Sequence, residues 1–324
     1  MEMIDKMSQN KSRPKVSIII PVYNGTNYMK EAIDSALEQT YENLEVIVVN
    51  DGSQDDGATE AVAKSYGDRI RYFYKENGGV SSALNCGIAN MTGEYFAWLS
   101  HDDLYTPNRI EDAVNLLEEH DLLGKKYVGF TGGYVIDADG RKLKNLRNCF
   151  DSNRTYSSLE VLNLMSTTGT LYGCSFLIPH VAFVCVGDFD ESLRYSQDAL
   201  MWYRIFLDGY GLIADGKQNV MSRMHKGQVS LLKRDLFAHD ALVIAKLLAE
   251  PLAKVDPSGL LLFKYIKRLT KYECVSAVDY LMTYACDQGC LRRKDQVILK
   301  LHSIWGFFRY KFVKILKQLV LFRR

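Results

Sequence analysis

The stretch EYFAWLSHDDLYTP (94–107) sets two carboxylates, Asp102 and Asp103, directly after Tyr95–Leu99, an apolar run suited to a buried strand. Adjacent carboxylates repel, and seating them beside a buried strand costs free energy unless a cation compensates. Oxygen ligation suits Mg2+ or Mn2+, with water and phosphate oxygens filling the remaining positions. The same residues could instead cap the segment that follows, DDLYTPNRIE, and the pair alone leaves both readings open. Three further polar loops, PVYNG (21–25), NDGSQDD (50–56) and KENGG (75–79), follow apolar runs in the same way. Each contains ordinary turn residues, namely Asn24-Gly25, Asp51-Gly52 and Asn77-Gly78-Gly79. If the preceding runs are parallel strands, all four loops gather at the carboxyl edge of one sheet, where open α/β sheets bind ligands.

The elements needed to position these loops are legible. KVSIIIPVY reads as a β-branched strand broken by Pro21, and NYMKEAIDSALEQT as a helix with Met29, Ile33, Ala36 and Leu37 at helical spacing. LEVIVVN, IRYFYKE and YFAWLS read as strands, separated by the helical stretches DDGATEAVAKSYG and VSSALNCGIANM. Such alternation predicts βαβ units and a mostly parallel sheet buried on both faces. Beyond residue 105 the pattern predicts a helix over PNRIEDAVNLLEEHD, a hairpin turning at DADG, a helix near 157–166, a strand at CSFLIP and a glycine-ended helix over DALMWYRIFLDGYG. From about 231 the chain reads as helical, with polar breaks near 255–258 and 287–290.

The 324 residues hold 40 Lys plus Arg and 39 Asp plus Glu, a balance that gives no electrostatic footprint for nucleic acid. Seven cysteines at irregular spacing fit buried thiols better than a disulfide framework. The polar start, MEMIDKMSQNKSRPK, lacks an export signal's apolar core, and no run of about 18 apolar residues is found, so a cytoplasmic protein is expected. Residues 300–324 carry seven basic residues and no acid. In that tail Phe308, Phe312, Ile315, Leu316 and Leu319 share one helical face, against Lys311, Lys314 and Gln318 on another. Such a helix could rest on an anionic membrane surface or dock on the core with its lysines in water.

Taken in order, VSIIIPVYNGTNYMKEAIDSALEQTYENLEVIVVNDGS, ENGGVSSALNCGIA and GEYFAWLSHDDLYTPNRIE resemble the family 2 glycosyltransferases of the GT-A fold over about 15–112, with a looser match to about 230. The resemblance implies an α/β fold with a Rossmann-like, mostly parallel sheet, helices on both faces and a C-terminal helical extension. It implies three regions: a polar arm (1–14), a glycosyltransferase domain (15–230, with a nucleotide half 15–105 and an acceptor half 106–230) and a helical region (231–324) ending in the basic tail. It also implies transfer of a sugar from a nucleotide-diphosphate sugar, with inversion and with Mn2+ or Mg2+. On the matching positions, Pro21, Tyr23 and Asn24 would contact the nucleotide, Asp51 its base, and Asn85 would line it from the following helix. Asp102 would ligate the metal, and Asp103 beside it is expected to share that role. Two departures stand out, Asn50 and Ser100, where the family often has Asp. Ser100 can still donate to a ribose or phosphate but cannot share the metal's charge, so that metal affinity would be modest or His101 would assist; the favoured reading leaves His101 exposed and not a ligand.

Asp198, in VGDFDESLRYSQDALMWYRI, matches the family's general base, in a motif whose first acid is here Gln197. On residue chemistry alone Ser196 or Asp198 is a helix cap, and a helix N-terminus would keep Asp198 ionised and weakly basic. MSRMHKGQVS (221–230) resembles the segment in which His225 would close over the diphosphate as a further metal ligand and Arg223 would approach the phosphates, a role its planar fork suits. The expected reaction is a metal-assisted single displacement from a nucleotide sugar, a UDP-sugar first, onto a glycan or lipid-linked acceptor in cell-surface polysaccharide or glycolipid synthesis, by a cytoplasmic protein that the tail could also hold on the inner membrane face. Two alternatives stand beside it. One is a degenerate sugar-nucleotide binder serving as a scaffold, which Ser100 and Gln197 favour. The other is a nucleotidyltransferase, which PVYNG disfavours because it lacks the basic, glycine-rich loop such enzymes carry after the first strand.

Overall fold

A computed structural model describes residues 13–146, 149–169, 171–225, 234–272, 274–291 and 295–299. The basic amphipathic tail and the segment after His225 lie outside them. The chain divides into two compact units. One runs to Thr155 and adds Tyr172–Glu191 and Leu212–His225; the other comprises Tyr156–Leu171, Ser192–Gly211 and the residues from 226 onward.

The first unit is built on one sheet. Its strands are β1 (Val16–Val22), β2 (Leu44–Asp51), β3 (Arg71–Lys75), β4 (Tyr95–Trp98), β5 (Leu104–Tyr105), β6 (Tyr127–Ile136), β7 (Lys142–Asn145), β8 (Arg154–Tyr156), β9 (Phe176–Pro179) and β10 (Gly211–Arg223). The order is β3-β2-β1-β4-β9-β6-β10-β5, with β7 on β6 and β8 on β10. The first four strands pair parallel. From β9 the pairings turn antiparallel, β4 with β9, β9 with β6, β6 with β7 and β10 with β5. β1 is buried along its whole length and β2 from Glu45 on, the profile of strands covered on both faces. β1 runs through Pro21 instead of breaking there. Leu99 N–H bonds to Ile19 O, so residue 21 faces the same side, and pairing with β4 has already ended at Ile19 opposite Trp98. Proline's missing N–H therefore costs no ladder bond.

Between the parallel strands lie α1 (Met29–Leu37), α2 (Ala58–Lys64) and α3 (Val80–Asn90), followed by α4 (Arg109–Glu119). α1 buries Met29, Ala32, Ile33 and Ala36, a stripe at the i, i+3, i+4, i+7 spacing that keeps one helical face on the core. Because β1, β2, β3 and β4 run the same way, the loops after them share one edge of the sheet. A cleft of about 450 Å3 lined by Arg13, Thr40, Tyr41, Glu42, Asn43 and Glu111 lies by the residues that precede β1 and β2, on the other edge from these loops.

The second unit is helical: α5 (Ser158–Thr168), then α7 (Gln197–Leu207), α8 (Arg234–Val255), α9 (Leu260–Leu269) and α10 (Val275–Asp287). The helix between α5 and α7, α6 (His180–Val186), belongs to the first unit. α5 starts with a reciprocal capping box between Ser157 and Glu160. It packs on α9 and α7, and α8 packs on α10. The two helices expected in the acceptor half, α5 and α7, thus cluster with the C-terminal helices. Among the described residues no helix is long and apolar enough to cross a membrane.

Candidate active site

The four loops at the carboxyl edge are tied to one another. After β1, Asn24 adopts φ 49°, donates its N–H to Ser53 Oγ (2.9 Å) and accepts from Gln54 N–H through Oδ1 (2.7 Å), which joins the first loop to the second. Tyr23 beside it is 42 % exposed, free to meet a ligand, while Pro21 is buried within β1. Asn50, where the family often has Asp, accepts from Ser53 N–H and donates to Tyr72 OH, an amide's use of both ends of its dipole. Asp51 is 3 % exposed and accepts from Lys75 Nζ (2.8 Å), Gly78 N–H (3.0 Å) and Gly79 N–H (2.7 Å). Those donors occupy three of the roughly four positions that a carboxylate offers, leaving room for one more. Gly52 sits at φ +69°, and a Cβ there would lie 2.6 Å from Asn77 N, so the second and third loops approach only because this residue is glycine.

The adjacent carboxylates part company. Asp102 and Asp103 are neighbours whose side chains face opposite ways. Asp102 turns to the rim, its Oδ2 3.1 Å from His225 Nε2, and both side chains keep about 15 % of their surface exposed. The Tyr28 ring lies 5.0 Å from the imidazole. Asp103 is 1 % exposed; it accepts from Arg223 N–H (2.9 Å) and forms a short bond with Tyr172 OH. Burial first, and the Asp102 charge second, push the Asp103 carboxyl well above the usual carboxylate range. The expectation that Asp103 ligates a metal is corrected: its oxygens serve the interior, and only Asp102 of the pair faces outward.

Arg223 is corrected too. It is 1 % exposed, and its side chain bonds to Asp102 O (Nε, 3.0 Å), Ala138 O (Nη1, 2.9 Å) and Glu31 Oε2 (Nη2, 2.6 Å), with the guanidinium stacked 4.5 Å over Tyr28. It does not reach outward to phosphate. It straps the end of β10 to the backbone of the acidic motif, and so fixes Asp102. Asn85, expected to line the nucleotide, instead donates to Phe189 O (2.9 Å) and Glu191 Oε1 (3.0 Å) and accepts from Phe189 N–H (2.9 Å), tethering the segment after α6 to α3. Ser100 Oγ lies 3.5 Å from Cys174 Sγ, inside the motif. His101, expected to be exposed, is half-buried against Gly25, and burial lowers its pKa, keeping the ring neutral.

Several residues of the site carried no motif. Tyr28 and Glu31, one turn apart at the start of α1, reach His225 and Arg223; their i, i+3 spacing was the available signal. Tyr172 and Cys174 brace Asp103 from the strand-side loop. Between them Gly173 admits the ring of Trp98, since a Cβ there would lie 2.6 Å from Cε3 and Cζ3.

As a metal seat, the rim offers one carboxylate oxygen and one imidazole nitrogen. Mn2+ accepts this mixed pair readily, whereas Mg2+ favours oxygen alone. Among the described residues no group of three or more His, Cys, Asp or Glu side chains is placed to hold a metal ion. A divalent ion held by this pair would draw its remaining ligands from phosphate and water.

In the second unit, Asp198 lies in the first turn of α7 and accepts from Ala199 N–H through Oδ1 (2.7 Å). The side chain is half-buried, and burial pushes its pKa up to about 6 despite the backbone N–H groups of Ala199 and Asp198. The expectation of a weakly basic, helix-stabilised carboxylate is reversed: desolvation outweighs the helix N-terminus, and Asp198 is a stronger base than an ordinary aspartate.

The family model for glycosyl transferase family 2 matches residues 17–187. Curated relatives include an uncharacterized glycosyltransferase of Rickettsia bellii, 46 % identical over 84 % of this chain, and another from Rickettsia typhi, 49 % identical over 69 % of it. The Bacillus subtilis minor teichoic acid biosynthesis protein GgaB is 29 % identical over 95 % of the chain. The chain spans 39 % of the R. bellii relative, 68 % of the R. typhi relative and 36 % of GgaB. Among solved structures, residues 1–349 of Staphylococcus aureus TarS in complex with UDP match with a TM-score of 0.65 at 16 % identity, over 90 % of this chain and 89 % of that one. The same region of TarS in complex with UDP-GlcNAc matches with a TM-score of 0.61 at 18 % identity and the same coverage. The sheet is that of the GT-A fold, and the chain belongs to glycosyl transferase family 2.

Proposed function

We propose that this chain transfers a sugar from a UDP-sugar to a hydroxyl of a glycan or lipid-linked acceptor, by a metal-assisted single displacement with inversion, in the assembly of a cell-surface polymer. The observation that carries the reading is the Asp102–His225 pair, set on the same sheet edge as Asp51 and held there by the Arg223 strap. The UDP and UDP-GlcNAc complexes of TarS and the teichoic acid role in the name of GgaB support the donor and acceptor classes.

In this reading the open position on Asp51 takes a base N–H, and Tyr23 and the Asn24 loop flank the nucleoside. Asp102 and His225 would hold Mn2+ or Mg2+, which when bound would neutralise charge growing on the diphosphate. The acceptor oxygen forms a bond to the anomeric carbon as the bond to the phosphate oxygen breaks, and the nucleoside diphosphate departs with that electron pair. Asp198 takes the acceptor's proton. A carboxylate with a pKa near 6 is ionised at neutral pH and still basic enough to draw that proton during attack. The basic tail is proposed to rest on anionic lipid where a lipid-linked acceptor would be met.

The test is a panel of nucleotide sugars scored by Mn2+-dependent thermal stabilisation. A donor at about a hundred times its Kd adds roughly 2.7 kcal/mol to stability. The expected result is stabilisation by one UDP-sugar above the others, followed by sugar transfer that Asp198→Asn abolishes while UDP binding persists. Stabilisation without transfer or donor hydrolysis in the unaltered protein would favour the degenerate scaffold instead.

A further inference from the structure

We propose that Asp240, on α8, is a positioning residue that sets the entry to α7 and so aims the carboxylate of Asp198. The inference rests on the proposed role of Asp198 as base. It gives the C-terminal helices, which lie outside the segment matched by the family model, a part in the reaction.

α7 begins without help from its own cap: Ser196 occupies the N-cap position and makes no side-chain cap bond. The approach to the helix is held from elsewhere. Asp240 Oδ2 accepts from Tyr195 N–H at 2.9 Å and from Ser196 N–H at 3.1 Å, and the Asp240 side chain is only 2 % exposed. Two backbone donors on one buried carboxylate are charge-assisted bonds, about twice as strong as neutral ones. They are also a reason for that carboxylate to be buried at all, because a desolvated charge survives only with partners. One turn earlier on the same face of α8, Phe237 meets the ring of Tyr195 with centroids 6.2 Å apart. The residues immediately before α7 are thus pinned at the backbone by Asp240 and at the side chain by Phe237.

Asp198 stands two residues beyond Ser196, and its orientation is set by the bond from Ala199 N–H. The first turn of α7 therefore moves with the pinned dipeptide, and Asp198 moves with that turn. A displacement of about 1 Å at a catalytic group is enough to cost on the order of a hundredfold in rate. Among the described residues no charged side chain contributes to the raised pKa of Asp198, which burial causes against the two backbone N–H groups. A loosened α7 entry would let water reach the carboxylate, so its titration reports its position.

The experiment compares Asp240→Ala, Asp240→Asn and Asp198→Asn in the full chain, following UDP release from the UDP-sugar selected by the thermal panel. Asp240→Ala is expected to lower kcat by at least about tenfold with the donor KM unchanged. It should also move the acid limb of the kcat–pH profile down toward the ordinary carboxylate range. Asp240→Asn keeps one acceptor oxygen and should lose less, about threefold. Should Asp240→Ala fail to fold, Asp240→Asn decides: a lowered kcat with a displaced limb supports the role, and unaltered values overturn it. A fall in kcat matched by an equal loss of UDP-binding sites, with the limb unmoved, is loss of folded protein and also overturns it. An active Asp198→Asn removes the reading beneath, whereas an inactive Asp198→Asn with an unaltered Asp240→Ala removes the positioning role alone.

Discussion

Replacing Asp198 by Asn should make the protein more stable as well as inactive. Burial lifts this carboxyl from the usual 3.8 to about 6, so in the folded state the charged form is held at a cost. At about 1.4 kcal/mol per pH unit the difference is worth about 3 kcal/mol. Part of the side chain remains in contact with water, which screens the penalty and brings the expectation down to about 2 kcal/mol. The sign follows from linkage: between pH 3.8 and about 6 the folded protein binds the proton that the unfolded chain releases, so stability falls as pH rises through that window. The penalty is complete above pH 6 and absent below 3.8. Asparagine accepts the Ala199 N–H just as aspartate does but carries no charge. Urea unfolding followed by circular dichroism should therefore show the variant gaining about 2 kcal/mol at pH 7.5 and nothing near pH 3.8. A variant less stable than the parent at pH 7.5 would refute the reasoning, because it would mean that the folded protein stabilises the charge.

Other expectations concern the frame around the site. Burial alone would raise Glu45, but bonds from Ser17 Oγ, Thr92 N–H and Arg71 overcome it and hold the pKa at about 2. Glu45→Gln should then cost about 3 kcal/mol at neutral pH, a cost that fades as pH falls from 4.5 toward 2, in the same unfolding assay. Gly173→Ala drives a methyl into the Trp98 ring and should cost about 1–3 kcal/mol, with a lowered kcat/KM in donor kinetics as Tyr172 and Cys174 shift on Asp103. Arg223→Lys retains a charge but cannot serve three partners in different directions, so it should weaken Mn2+-dependent UDP binding by about tenfold in calorimetry through the freed Asp102 backbone.

The parallel half of the fold was readable because each segment carries its own signal: β1 and β2 each carry a β-branched apolar run, and α1 repeats at helical spacing. The antiparallel half was harder. β5 has two residues, too few for any period, and α6 follows Pro179 with a continuous apolar run, VAFVCV, which periodicity cannot tell from a buried strand. The grouping of α5 and α7 with the C-terminal helices depends on partners distant in sequence, such as Met165 O with Arg268 and Ser166 with Tyr203 and its neighbour Tyr265, which no local pattern announces. In the site, the acidic pair was singled out from loop position and residue type, and Asp51 from the family resemblance. The inward turn of Asp103 and the burial of Arg223 could not be, because residue type tells what a group can bind and only packing tells which way it faces. Asp198 shows the same limit, since helix position argued for a weak base and burial made a stronger one.

Asp102 and His225 are proposed to hold a divalent ion against the diphosphate of a nucleotide donor. Electron paramagnetic resonance of Mn2+ titrated with the protein in the presence of UDP tests it directly. One site per chain is predicted, weakened by at least about tenfold in Asp102→Asn and in His225→Ala and unchanged in Ser100→Ala. Equal Mn2+ binding by the parent and the Asp102→Asn variant would contradict the account.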